Sequence, residues 1–319
     1  MHPTKLYVIG NGFDLWHGIP SSYAQFKEYV RRHDRDLFDA VDSYLPADED
    51  WSDLESALAD VDVNSIIDDL GHFMPAYSAD DWSDAGHHDF QYEVDQVVQH
   101  LSTELRARFG EWIRSLKIPT PGIATKRLNC IDANAIFLTF NYTSTLEDLY
   151  AVPYTHVLHI HGEARLQDSE LILGHAWNPA QRRSLNDRTD TEDIDTRLMD
   201  AYGVLDEYFS RTFKPSEQLI RENQPFFDQL GAIQTVHVLG HSLSDVDLPY
   251  ILALLKVPSV VAACWYIACR SGQERATKYD RLISLGVDPK RASTVLWTDY
   301  LLDRPDGVDG SFVVETPRP

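Results

Sequence analysis

Near the start of the chain, the apolar run Leu6-Tyr7-Val8-Ile9 stops abruptly at Gly10-Asn11-Gly12. Apolar side chains without alternation predict a strand covered on both faces, which is the environment of a parallel sheet. A G-x-G turn directly after such a strand brings bare backbone close to whatever lies at the strand end. Its amides suit a phosphate group. A tight turn alone would have the same composition, so the position after the first strand carries the argument.

The remaining pattern extends this reading. Further strands are expected at Ala135–Phe140, His156–Ile160, Thr235–Leu239, within Val257–Cys269 and at Thr294–Trp297, with a weaker one at Leu171–Leu173. Helical periodicity runs from about Ser22 to Asp60 and again from Phe90 to Leu116. The S-x-x-E sequence Ser52-Asp53-Leu54-Glu55 predicts a helix cap at Ser52. Strands alternating with helices predict an α/β, Rossmann-like, mostly parallel sheet with helices on both faces. The helical block after the first strand-helix unit reads as a large insertion. Residues 1–30 and 126–319 are then expected to form the sheet domain, and 31–125 a helical subdomain. The polar stretch Gln181–Glu192 is expected to be a surface loop.

The charge balance narrows the partners. The 319 residues hold 28 Lys and Arg against 50 Asp and Glu, a net charge of −22. Such a surface repels phosphate backbones and anionic lipids, which disfavours nucleic acid and membrane partners while leaving room for one small anionic ligand. No apolar stretch reaches the roughly 20 residues of a membrane span. With no secretory leader pattern at the start, a cytoplasmic location is expected. Cys130, Cys264 and Cys269 form no C-x-x-C pair, so no zinc ribbon is expected. Gly-x-Ser-x-Gly is also absent, which leaves a serine hydrolase unsupported.

The candidate site residues cluster after strands. In Gly10-Asn11-Gly12-Phe13-Asp14, Asp14 could meet a ribose hydroxyl, orient a water or cap the next helix; His17 follows closely. Thr139-Phe140-Asn141 ends a strand, and the Asn141 amide suits a ribose or an ordered water, or a turn. In His159-Ile160-His161, alternation sends both histidines to one face, with His161 nearer the strand end and suited to general base chemistry or to a structural bond. Gly240-His241-Ser242 repeats the arrangement, with Asp245 expected to cap the following helix. Asp80, Asp81, Asp84, His87, His88 and Asp89 have a metal-like composition that also suits a solvated loop, and no metal is expected.

As an ordered set, IGNGFDLWHGIPSSYAQF, WSDLE, FNYTSTLEDLY, HIHGE, LILGH and LGHSLSDVD resemble the AbiH family of phage abortive infection proteins. That family is similar in turn to the sirtuin-like NAD-binding superfamily. Gly10-Asn11-Gly12-Phe13-Asp14 stands where sirtuins carry G-A-G-x-S, followed by Gly18-Ile19-Pro20. Thr139-Phe140-Asn141, His161-Gly162 and Gly240-His241-Ser242 stand for T-Q-N, H-G and G-x-S. The resemblance implies Asn141 and His161 as catalytic residues. It implies nucleotide contacts from Gly10, Asn11, Gly12, Phe13, Asp14, His17, Thr139, Gly240, His241 and Ser242. Without the zinc ribbon of deacetylases, it points to NAD⁺ hydrolysis, with NAD as substrate and a phage or host protein or self-association as partners. A non-catalytic NAD or ADP-ribose sensor, or a metal-dependent hydrolase or nuclease using the Asp/His-rich loop, stands as the alternative.

Overall fold

The computed structural model describes residues 3–74, 88–166, 171–187 and 195–301. Six strands form one sheet: β1 Lys5–Ile9, β2 Ile136–Thr139, β3 Val157–His159, β4 Thr235–Leu239, β5 Cys264–Cys269 and β6 Ala292–Leu296. All pairings are parallel, and the order is β3-β2-β1-β4-β5-β6. This is the doubly wound arrangement of Rossmann-like folds. The expected α/β class is therefore the observed one.

β1 lies at the centre, and Leu6, Tyr7 and Val8 are fully buried, as a strand covered on both faces requires. On one face the rings of Phe137, Tyr7, His237 and Tyr266 stack across four neighbouring strands at 4.7, 5.0 and 5.2 Å. Burial pushes His237 down to about 4, so it joins the row as a neutral ring. Leu171–Leu173 is not a strand. Leu171 and Leu173 are buried, but no ladder neighbour accompanies them.

The chain divides into two compact units. One comprises residues 1–21, 113–171 and 216–319 and holds the sheet. The other comprises 22–112 and 172–215 and is helical. In the helical unit Ser22 caps the helix Tyr23–His33 through a reciprocal box with Gln25. Phe26 packs against Trp112 and Phe109 at 5.1 and 5.2 Å. The expected helix at 90–116 runs from Asp89 to Ser115, interrupted by a π-helical turn at His100–Glu104. Ser52 does not cap: the helix at Leu54–Ala57 follows Asp53 after a left-handed residue, Trp51. Glu55, the other half of the expected box, is instead bonded to Tyr23 and to the fully buried Lys214. No helix among the described residues is long and apolar enough to cross a membrane.

Candidate functional site

Strand register sets the site. Ile9 pairs with Thr139 and Leu239, and Thr139 pairs with His159. The segments after these four residues therefore leave the sheet side by side, around the point between β1 and β4 where the strand order reverses. Ligands of open α/β sheets bind at such a point.

The glycines there do something other than present free amides. Gly10 N–H donates to the Leu239 carbonyl at 3.0 Å, Gly12 N–H to Gly240 at 2.9 Å and Phe13 N–H to Gly10 at 2.9 Å. A Cβ on Gly240 would lie 2.1 Å from the Phe13 nitrogen, and one on Gly10 would lie 2.6 Å from the His241 Cα. Gly240 also has φ +75°, a left-handed conformation that favours glycine. The three glycines let two turns touch, and those amides are committed to the contact. Asn11 is likewise engaged, donating to the Ser21 carbonyl at 2.8 Å and accepting from its hydroxyl at 2.5 Å.

Phe13 and His17 face the core. Phe13 is fully buried. His17 Nδ1 lies 2.7 Å from the Phe13 carbonyl and Nε2 lies 2.6 Å from the Tyr150 hydroxyl. Burial pushes His17 down to about 4, so the ring is neutral at pH 7. A neutral imidazole with Nδ1–H donating to Phe13 accepts the Tyr150 proton at Nε2.

Asp14 lies beneath the site. It is 1% exposed and accepts from the Thr143 hydroxyl at 2.6 Å and the Thr145 hydroxyl at 2.7 Å. Burial raises its pKa to about 6, although both threonine bonds act in the opposite direction, followed by the nearby Asn141 amide and His159. The folded chain thus holds this proton more tightly than the unfolded chain, whose value is 3.8. Stability from this group is complete below pH 3.8 and is lost as pH rises through about 6, by about 3 kcal/mol in total. Asp14→Asn is expected to abolish that slope. Denaturant unfolding at pH 4, 5, 6 and 7 should show the variant gaining on the wild type across the window. A pH-independent difference would contradict it.

The other predicted residues meet at the strand ends. Thr139 Oγ1 accepts the Asn141 N–H at 3.1 Å and fixes the turn. The Asn141 side chain is buried, and neither its oxygen nor its nitrogen reaches a hydrogen-bond partner among the described residues. His161 and His241 are 2% and 3% exposed and both pack on Phe140, at 5.3 and 4.2 Å between rings. Ser242, next in the chain, is exposed.

His159 and His161 do not share a face. β3 ends at His159, and the chain turns before His161. His159 Nε2 lies 3.0 Å from Glu147 and Nδ1 lies 3.1 Å from the Asn141 carbonyl. Burial opposes charge on His159, but the bond to Glu147 and its charge outweigh this, so its pKa is raised. His161 instead lies against Phe140 and Tyr250, with Nε2 at 3.7 Å from Asp247.

Sequence reading missed Thr143, Thr145, Glu147 and Asp247. Each sits within a quoted motif, yet a hydroxyl or carboxylate there reads equally as turn or helix surface. Asp245 does not cap; it pairs with Arg281 at 2.6 Å. Among the described residues no group of three His, Cys, Asp or Glu side chains could hold a metal ion. Asp80, Asp81, Asp84 and His87 lie outside the described residues, as does the part of the polar loop beyond Asp187.

Comparison with curated proteins and with solved structures found no match. A family model described as bacteriophage abortive infection AbiH matches residues 6–268. That span contains every strand that borders the site, the glycine junction and the histidine cluster. The chain belongs to the AbiH family of bacteriophage abortive infection proteins.

Proposed function

We propose that this chain serves phage defence by hydrolysing NAD⁺ to nicotinamide and ADP-ribose. The observation that carries the proposal is the Asn141 carboxamide, buried at a strand end beside Asp14, with neither polar atom in hydrogen-bond geometry with a described residue. A buried amide left in that state costs about 1–3 kcal/mol, so it needs a partner, and a ribose hydroxyl or a positioned water supplies one. The strand order, the reversal point beside it and the sirtuin-like spacing of the motifs support a dinucleotide as the source of that ribose.

The chemistry asks little of the protein. The bond between ribose C1′ and the nicotinamide nitrogen breaks, and its electron pair leaves with nicotinamide. The ribose carries oxocarbenium character until a water oxygen bonds to C1′ and releases a proton. In this reading His161 takes that proton, and Asn141 orients the water or the ribose hydroxyls. Since the Gly10, Gly12 and Phe13 amides are committed internally, the exposed Ser242 is the better candidate for a phosphate or ribose contact.

The test is to incubate the purified protein with NAD⁺, with and without extract from phage-infected cells, and to quantify nicotinamide and ADP-ribose. Equal release of both is expected. Calorimetric binding of NAD⁺ without release under either condition would replace hydrolysis by sensing. Neither binding nor release would overturn the nucleotide reading altogether.

A further inference from the structure

We propose that Asp247 is the positioning residue of this site, a single carboxylate shared by His161 and His241. Its two oxygens face the two rings separately: Oδ1 lies 3.7 Å from His161 Nε2, and Oδ2 lies 3.4 Å from His241 Nε2. Asp247 stands immediately before the helix Leu248–Leu255, where an aspartate ordinarily caps the first turn. Here the side chain makes no capping bond. The carboxylate serves the histidines instead.

The two histidines have different parts. His241 Nδ1 accepts the Leu243 N–H at 2.9 Å. A ring nitrogen that accepts carries no proton, so the neutral ring must carry its hydrogen on Nε2, the atom facing Asp247. The Leu243 amide therefore sets the tautomer, and the His241 Nε2–H faces one oxygen of the carboxylate. Leu243 itself has φ +58°, so this short segment is bent into a left-handed conformation to present that amide. The second oxygen is left facing His161.

The surroundings make the arrangement consequential. The Asp247 side chain is 15% exposed and the two imidazoles 3% each. The rings of Phe140 and Tyr250 pack around them. Little water screens the carboxylate from the histidines, so removing its charge is expected to be felt at both rings. His161 is the group to which hydrolysis assigns the proton, so this inference rests on that reading for its catalytic consequence. Separations of 3.4 and 3.7 Å exceed hydrogen-bond length, as contacts in a catalytic site often do before substrate binds.

The decisive measurement needs no substrate. Nitrogen-proton correlation spectra of the histidine side chains in the wild type should show His241 with its hydrogen on Nε2. In Asp247→Asn the His161 titration should fall by about one pH unit or more. A wild-type His241 protonated on Nδ1 overturns the proposal without any variant, as does an unmoved His161 titration in a folded Asp247→Asn chain. With NAD⁺ as substrate, Asp247→Asn should reduce kcat at least tenfold with KM within about twofold. Asp247→Glu should recover part of the loss. If the wild type releases no nicotinamide while the titrations behave as stated, the hydrolysis reading fails and the shared carboxylate stands.

Discussion

Replacing His161 by alanine is expected to slow nicotinamide release from NAD⁺ by about 10²–10⁴-fold, the usual contribution of a positioned proton acceptor. Asn141→Ala is expected to slow it by about 10²-fold, through loss of orientation rather than of proton transfer. The two losses should differ in kind. His161→Ala should change kcat with little effect on KM, because a proton acceptor acts on the transition state. Asn141→Ala should affect both, since the same amide would meet the bound ribose. Both side chains are buried at neighbouring strand ends, so circular dichroism should accompany each assay to establish that the sheet persists. Steady-state release at saturating and limiting NAD⁺ separates the parameters. Turnover unaffected by both substitutions would remove these residues from the mechanism.

Gly240→Ala should be among the most destabilising single changes in the chain. The residue has φ +75°, and its missing Cβ would lie 2.1 Å from the Phe13 nitrogen and 2.5 Å from the Gly12 carbonyl carbon. Left-handed backbone with a side chain costs about 1–2 kcal/mol, and forced overpacking costs about 1–3 kcal/mol more. Since both atoms in the way belong to backbone, no rotamer change relieves the contact. A total of roughly 2–5 kcal/mol is expected. Gly18 is the natural control, with φ +79° but nothing within 4 Å of its missing Cβ. Gly18→Ala should therefore lose only the backbone part, about 1–2 kcal/mol. Denaturant titration of both variants decides it, and equal losses would show that the close contact carries no weight.

The sheet was legible because its strands are short apolar runs that end at glycine or at a polar residue. β1, β2 and β4 are of this kind, and their elements lie where the apolar runs place them. Leu171–Leu173 has the same local pattern without a ladder, because burial of alternating side chains does not require a neighbouring strand. Ser52 illustrates a different failure. Its spacing to Glu55 fits a capping box, but Glu55 is bonded to Tyr23 and Lys214, and Lys214 is 159 residues away. A spacing rule sees only what lies within a few residues.

The candidate site divides along the same line. Asn141, His161 and His241 are recognisable because each stands two residues past a strand end, and register brings strand ends together. What each side chain touches depends on partners far along the chain. Asp14 meets Thr143 and Thr145, 129 and 131 residues later, and becomes a buried acid rather than a surface cap. The Gly10 and Gly12 amides likewise look free in sequence, and only the packing of the Gly240 turn shows them engaged.

The central place of β1 has a consequence in time. Leu6 pairs with Ile136, 130 residues later, and Lys5 pairs with Thr235, 230 residues later. At about 5–20 residues per second, the ribosome needs roughly 10–45 s to supply the second of these neighbours. Until then the glycine junction has no second turn, and His241 and Asp247 do not yet exist. A chain still being made, or one truncated before Asp247, cannot assemble the cluster at all.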